Sequence, residues 1–150
     1  MKLSILITLL NEEQVLPQTH REISNQLEQM LGKELSDYEI LYIDDGSSDK
    51  TFELIEEFAR ENDRIKYIRF SRNFGRESGI LAGFKYASGD AVMVMDGDLQ
   101  HPPYLIPLFL EAYNEGYDIV SGQRTREGES FVGSSFARLF YFLSNRSMDV

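Results

Sequence analysis

No cysteine occurs among the 150 residues, so neither a disulfide framework nor a thiolate-bound metal is available to this chain. Histidine is nearly as scarce. His20 and His101 are too few for a multi-histidine zinc site. A positive charge balance is missing too: the formal net charge of −10 argues against a nucleic-acid binder, which needs an electropositive face. No apolar run approaches the roughly 20 residues needed to cross a bilayer. The run at 3–10 follows a single lysine, lacks a small-residue cleavage site and meets Asn11-Glu12-Glu13 directly. It reads as a buried first strand and not as a signal peptide. What is left is a chain expected to be soluble or at most peripheral, with 42% hydrophobic and 12% aromatic residues. That is enough for one well-buried domain.

Short apolar runs alternate with amphipathic stretches along most of the chain. Residues 3–9, 39–43, 65–70, 91–95 and 118–121 are candidate strands. Ile23, Leu27, Met30 and Leu31 recur at helical spacing, with Pro17 tolerable in the first turn. Phe52, Ile55, Phe58 and Ala59 mark a second helix opened by Ser47-Ser48-Asp49, with Asp44 expected to cap it. Ile80, Leu81 and Phe84 mark a third, and Leu105, Leu108, Phe109 and Ala112 a fourth. This βαβα order predicts an α/β fold, a mostly parallel sheet with helices on both faces.

In such sheets ligands bind beyond the carboxyl ends of the strands, and every polar cluster falls there. Thr8 and Asn11-Glu12 follow the first strand, Asp44-Asp45-Gly46 the second, and Arg72-Asn73-Phe74-Gly75-Arg76 the third. Asp96-Gly97-Asp98 follows the fourth, and Gly122-Gln123-Arg124 the fifth. Asp96 and Asp98 sit two apart at the end of an extended run, so both can reach one ligand. Paired carboxylates repel unless a cation or proton lies between them, which suits a hard divalent ion carrying phosphate oxygens. Gly97 leaves room for a ligand to approach the backbone. The competing reading is a solvated turn. Arg72 and Arg76 are placed on the ligand rim, whereas Arg64 and Lys66 read as a solvated face.

Neither G-x-G-x-x-G nor G-x-x-x-x-G-K-[ST] is present, which removes dinucleotide-binding and P-loop enzymes. Asp96-Gly97-Asp98 also bears a distant likeness to the strand-end nucleophile motif of haloacid-dehalogenase-like phosphatases. Gln100 stands where that motif has Thr or Val.

The ordered set Asn11-Glu12, Asp44-Asp45-Gly46-Ser47, Ser71-Arg72-Asn73-Phe74-Gly75, Asp96-Gly97-Asp98-Leu99-Gln100-His101-Pro102-Pro103 and Ser121-Gly122-Gln123-Arg124 resembles another family. It is similar to the inverting, metal-dependent glycosyltransferases of the GT-A fold, whose Rossmann-like half binds nucleotide sugars. The likeness is greatest to the polyprenyl-phosphate branch, the dolichol-phosphate mannose synthases and bactoprenol-phosphate glucosyltransferases. It covers residues 2–146.

The resemblance implies that Asp45 accepts a hydrogen bond from the base of a UDP- or GDP-sugar, with Thr8, Leu10, Glu12 and Ile43 lining that pocket. It implies further that Asp96, Gly97 and Asp98, with Gln100, place Mg2+ or Mn2+ on the diphosphate. Arg124 would contact the diphosphate or the acceptor phosphate, and Arg76 could share that task. No general base is identified. His101 is expected to cap or pack in its loop, since imidazole suits Mg2+ poorly.

The function implied is transfer of a hexose to a polyprenyl phosphate at the cytoplasmic face of a membrane. A sugar-hydroxyl acceptor in polysaccharide synthesis, or nucleotide-sugar binding without transfer, stay open as alternatives. Residues 1–150 are expected to form one glycosyltransferase domain, cut short on its C-terminal side. A nucleotide-sugar core would occupy about 1–124, with a polar loop and aromatic helix over 125–150. Phe131, Phe136, Phe140 and Leu143 in the 131–143 stretch would support self-association if exposed.

Overall fold

The structure, a computed structural model, describes residues 1–98 and 102–122. Leucine and isoleucine stand at both parities of the first run, the pattern of a strand covered on both faces. It forms β1 (Lys2–Leu9), buried along nearly its whole length. β2 (Asp37–Asp44) is equally buried, β3 (Ile65–Arg69) is largely exposed, and β4 (Ala91–Asp96) is intermediate. All four run parallel in the order β3-β2-β1-β4. The chain therefore builds outward from β1 to β3, then returns to set β4 on the other side of β1. That change of direction opens a crevice between the carboxyl ends of β1 and β4. The register pairs Thr8 with both Ile43 and Asp96, so these three share one face.

The larger core lies on the opposite face. Leu3, Ile5, Ile7 and Leu9 join Ile40 and Tyr42 beneath α1 (Leu16–Met30), α2 (Thr51–Glu61) and α4 (Ile106–Asn114). Ile23, Leu27 and Met30 bury the α1 stripe, and Pro17 sits in the first turn, where its missing N–H has no intrahelical acceptor to lose. His20 stacks on Phe58 with centroids 3.8 Å apart, and its Nδ1 lies 2.9 Å from the buried Tyr42 hydroxyl. Burial holds the His20 pKa down to about 4.

The other face carries α3 (Arg76–Tyr86) over a small cluster of Leu6, Leu41 and Ile43. Two of the three apolar side chains expected to anchor this helix point outward: Leu81 is 70% and Phe84 52% exposed, while Ile80 is half-buried. Gly79 and Gly83 form the packed side instead. A Cβ at either would come within 2.8 Å of Thr8 Cγ2 or Leu6 Cδ1. Two glycines one turn apart let the helix backbone settle directly on the sheet, which larger residues there would prevent.

At the amino end of the sheet the buried Glu39 carboxylate is enclosed by donors. Ser4 Oγ and Ser88 N donate to Oε1, both at 2.6 Å, while Lys66 Nζ at 2.7 Å and Ser88 Oγ at 2.8 Å donate to Oε2. Burial pushes this carboxyl up, and the bonds from Lys66, Ser4 and Ser88 outweigh it, leaving a pKa of about 2. Lys66 is thus half of a structural ion pair. Arg64 is likewise engaged, pairing with Asp37 at 2.9 Å over the Tyr38 ring. Neither belongs to the purely solvated face expected for them.

Residues Met1–Tyr117 form one compact unit and Asp118–Val150 a second. The strand expected at 118–121 does not form, and Ile119 is 88% exposed. Two apolar residues in a four-residue run give too little to bury. The 131–143 stretch lies outside the described residues.

Candidate active site

A cleft of about 280 Å³ opens over the β1–β4 crevice, lined by the loops after all four strands. Thr8, Leu10, Glu12, Asp45, Arg76, Asp96, Gly97 and Asp98 all contribute to its wall. Ile43 does not. It is fully buried in the cluster beneath α3, because its strand parity directs it at Gly79. Gln100, His101 and Arg124 lie outside the described residues. Leu9, Asn73 and Gly75 also line the cleft and were not assigned a role from sequence. For Asn73 and Gly75 the signal was their position in the rim motif.

Asp45 does more than face the cleft. Its Oδ1 accepts the Phe74 N–H at 2.7 Å and its Oδ2 the Gly75 N–H at 2.9 Å. Gly75 has φ +92°, a conformation that favours glycine. A single carboxylate thus fixes the turn that starts α3 and delivers Arg76. Arg72 takes no part in the lining. Its guanidinium rests over the Phe74 ring, 4.8 Å from the centroid.

The Asp-Gly-Ser-Ser-Asp-Lys-Thr run acts as a brace. Asn11, Glu12 and Glu13 present successive N–H groups to Ser47 Oγ, Thr51 Oγ1 and Asp49 Oδ2 at 2.9, 2.8 and 3.1 Å. Asn11, at φ +56°, returns its Oδ1 to the Ser48 N–H at 2.8 Å. Backbone groups with no helix or sheet partner are thereby satisfied, and Glu12 is held at the cleft wall. Asp44 does not cap α2. Its Oδ1 accepts the Ser47 N–H, and its Oδ2 faces Arg69 Nε at 3.4 Å. Asp49 supports that helix start through the Thr51 N–H.

On the far side, Thr19 Oγ1 donates to the Gly97 carbonyl at 2.8 Å. A Cβ at Gly97 would collide with Leu9 Cδ2. Packing against Leu9, and not only ligand approach, requires glycine between the two aspartates. Arg76 donates to Asp96 Oδ1 through Nη2 at 2.6 Å and Nε at 3.1 Å. Burial and the charges of Asp98 and Asp49 push the Glu12 carboxyl up.

The described wall therefore holds four carboxylates, Glu12, Asp45, Asp96 and Asp98, against one guanidinium. Among the described residues no three acidic or histidine groups surround a common metal position. Mg2+ commonly takes only one or two protein carboxylates and completes its shell with water and phosphate. The donor chemistry fits: all oxygens are hard, and the Glu12 carboxyl is pushed up first by burial and then by the neighbouring charges of Asp98 and Asp49. Asp96 and Asp98 are the residues that would hold such an ion.

A parallel sheet with this cleft at its strand-order switch is the architecture of the GT-A glycosyltransferases. Glucosyl-3-phosphoglycerate synthase from Mycobacterium tuberculosis, in complex with UDP, matches with a TM-score of 0.58 and 20% identity, over 83% of this chain and 45% of that one. Mannosyltransferase PcManGT from Pyrobaculum calidifontis, in complex with GDP-Man and Mn2+, matches with a TM-score of 0.52 and 18% identity, over 64% and 27%. The chain belongs to glycosyl transferase family 2, which its sequence matches over residues 4–148. Membership of that family replaces the phosphatase reading of Asp96. Bacillus subtilis CsbB, whose name assigns it only to the glycosyltransferases, is 44% identical over 148 residues, 99% of this chain and 44% of its own length. The chain spans less than half the length of the curated relatives it matches.

Proposed function

We propose that this chain is the donor-binding half of a metal-dependent, inverting glycosyltransferase that moves a hexose from a UDP- or GDP-sugar to a polyprenyl phosphate. The observation that carries the reading is the meeting of Asp45, Arg76, Asp96 and Asp98 in one cleft, although they follow three different strands. The fold neighbours bound to UDP and to GDP-Man with Mn2+ support a nucleotide-sugar donor and a divalent ion. They leave the base open, as does Asp45, because uracil and guanine both offer N–H groups to a carboxylate.

In this reading Asp45 keeps its two backbone amides and uses remaining lone pairs for the base edge. Leu10 provides an apolar border, and Thr8 and Glu12 close the pocket wall. Asp96 and Asp98 would hold the cation, and the family resemblance assigns Gln100 to the same task. When bound, that ion would offset the charge growing on the departing diphosphate. Arg76 would add donors to the same oxygens, strongest where water is excluded, a task the family resemblance also assigns to Arg124. The acceptor approaches the anomeric carbon from the opposite face, which inverts its configuration. A lipid monophosphate has a second pKa near 6, comparable to that of a phosphorylated side chain, and is largely dianionic at neutral pH. It needs little help from a general base, whereas a sugar hydroxyl would need one. Such an acceptor places the reaction at the cytoplasmic face of a membrane. Among the described residues no helix is long and apolar enough to cross one.

Titration calorimetry with UDP and with GDP, in Mn2+ and again in excess chelator, tests the donor site. Binding of at least one nucleotide that disappears with the metal is expected. Metal-independent binding, or binding of neither nucleotide, overturns the reading.

A further inference from the structure

We propose that Arg76 and the divalent cation take turns on Asp96, so that metal and nucleotide load the cleft cooperatively. This rests on the donor-site reading above and adds a positioning role for one residue. Arg76 directs Nη2 and Nε at a single oxygen, Asp96 Oδ1, at 2.6 and 3.1 Å. A metal held by Asp96 would draw on the same carboxylate. A guanidinium and a divalent ion crowded onto one carboxylate repel in a partly desolvated cleft. One must give way. Asp96 is 25% exposed and Arg76 51%, so the arginine is the partner with room to leave.

The local build favours a side-chain swing over a backbone shift. Asp45 grips the amides of Phe74 and Gly75, and the Gly75 carbonyl accepts the Gly79 N–H at 3.2 Å in the first turn of α3. The Arg76 backbone is thereby fixed while its long stem stays free to turn. A diphosphate offers the displaced guanidinium the geometry it prefers, two oxygens matched to its donor fork. Metal arriving alone must break the Arg76–Asp96 pair without compensation. Metal arriving with a nucleoside diphosphate exchanges that pair for an Arg76–phosphate pair. The two ligands therefore assist each other, and by linkage they do so equally.

The test is Mn2+ binding followed by the paramagnetic signal of the free ion, with and without UDP or GDP, in the wild type and in Arg76→Gln and Arg76→Lys. In the wild type, nucleotide is expected to tighten Mn2+ binding about fivefold or more, within the usual range for coupled sites. Arg76→Gln should tighten Mn2+ binding in the absence of nucleotide and shrink the nucleotide effect to the part that the ion's own contact with the diphosphate supplies. Arg76→Lys, charged but without the fork, should fall between. Unchanged or weaker nucleotide-free Mn2+ binding in Arg76→Gln overturns the exchange. If the wild type binds no Mn2+ even with nucleotide, the donor-site reading itself has failed, and the two failures are thus distinguished.

Discussion

Glu39 at the amino end of the sheet and the carboxylates at its carboxyl end face the same physical problem and meet it differently. Glu39 is surrounded by Lys66, Ser4 and Ser88, and Lys2 lies 3.7 Å away. Its charge is matched by the protein's own donors, and its low pKa records the match. Across the sheet, Glu12, Asp45, Asp96 and Asp98 share a cleft with Arg76, and the Glu12 carboxyl is pushed up. One end is balanced internally and contributes stability. The other gathers four carboxylates against one guanidinium, an excess of negative charge that the proposed donor site would use to hold a cation.

That contrast can be broken from either end. The largest effect is expected for Asp98→Ala, which should weaken metal-dependent nucleotide binding by more than the roughly 10–100-fold carried by outer partners of a metal site. Its unfolding midpoint in urea should move much less than that of Glu39→Ala, since Asp98 is exposed. Calorimetry showing unaltered nucleotide affinity would remove Asp98 from the site. Glu39→Ala should do the reverse, costing roughly 2–3 kcal/mol in urea unfolding by leaving the Ser88 amide and Lys66 without their acceptor. Its nucleotide affinity should match the wild type, and a parallel loss would mean that the two ends are coupled.

The smallest expected effect is a pH dependence that belongs to neither end. His20 has a folded pKa of about 4, against the ordinary value of 6.5. The unfolded chain therefore takes up the proton first, and stability falls as pH drops from 6.5 towards 4. Urea titrations at pH 7 and pH 5 should differ by about 2 kcal/mol from this group. Glu39 adds its own loss only below about 4.5. A flat profile between pH 7 and 5 would contradict the half-buried, neutral imidazole.

Periodicity made β1 to β4 and the α1 stripe legible, because those segments bury side chains that announce themselves. It misled at α3, where the packed residues are Gly79 and Gly83, and Leu81 and Phe84 face outward. A glycine face carries no hydrophobic signal. The 118–121 run failed for a different reason, being too short and too polar to bury as a strand. At the cleft, resemblance located most of the wall, but strand parity moved Ile43 into the core. The supporting groups were harder to see. Thr19 reaches Gly97 across 78 residues, and Thr51 reaches Glu12 across 39. No local pattern encodes such pairings.

Gly46 carries a mechanical consequence. A Cβ there would stand 2.6 Å from the Arg72 carbonyl carbon, and its φ of +80° already favours glycine. The loops after β2 and β3 thus lie flush, with no side chain as a spacer, and Asp45 next door pins the same stretch at Phe74 and Gly75. They form a single rigid lip. Any displacement of Asp45 would be felt at the root of Arg76, so the two sides of the cleft are coupled through the backbone.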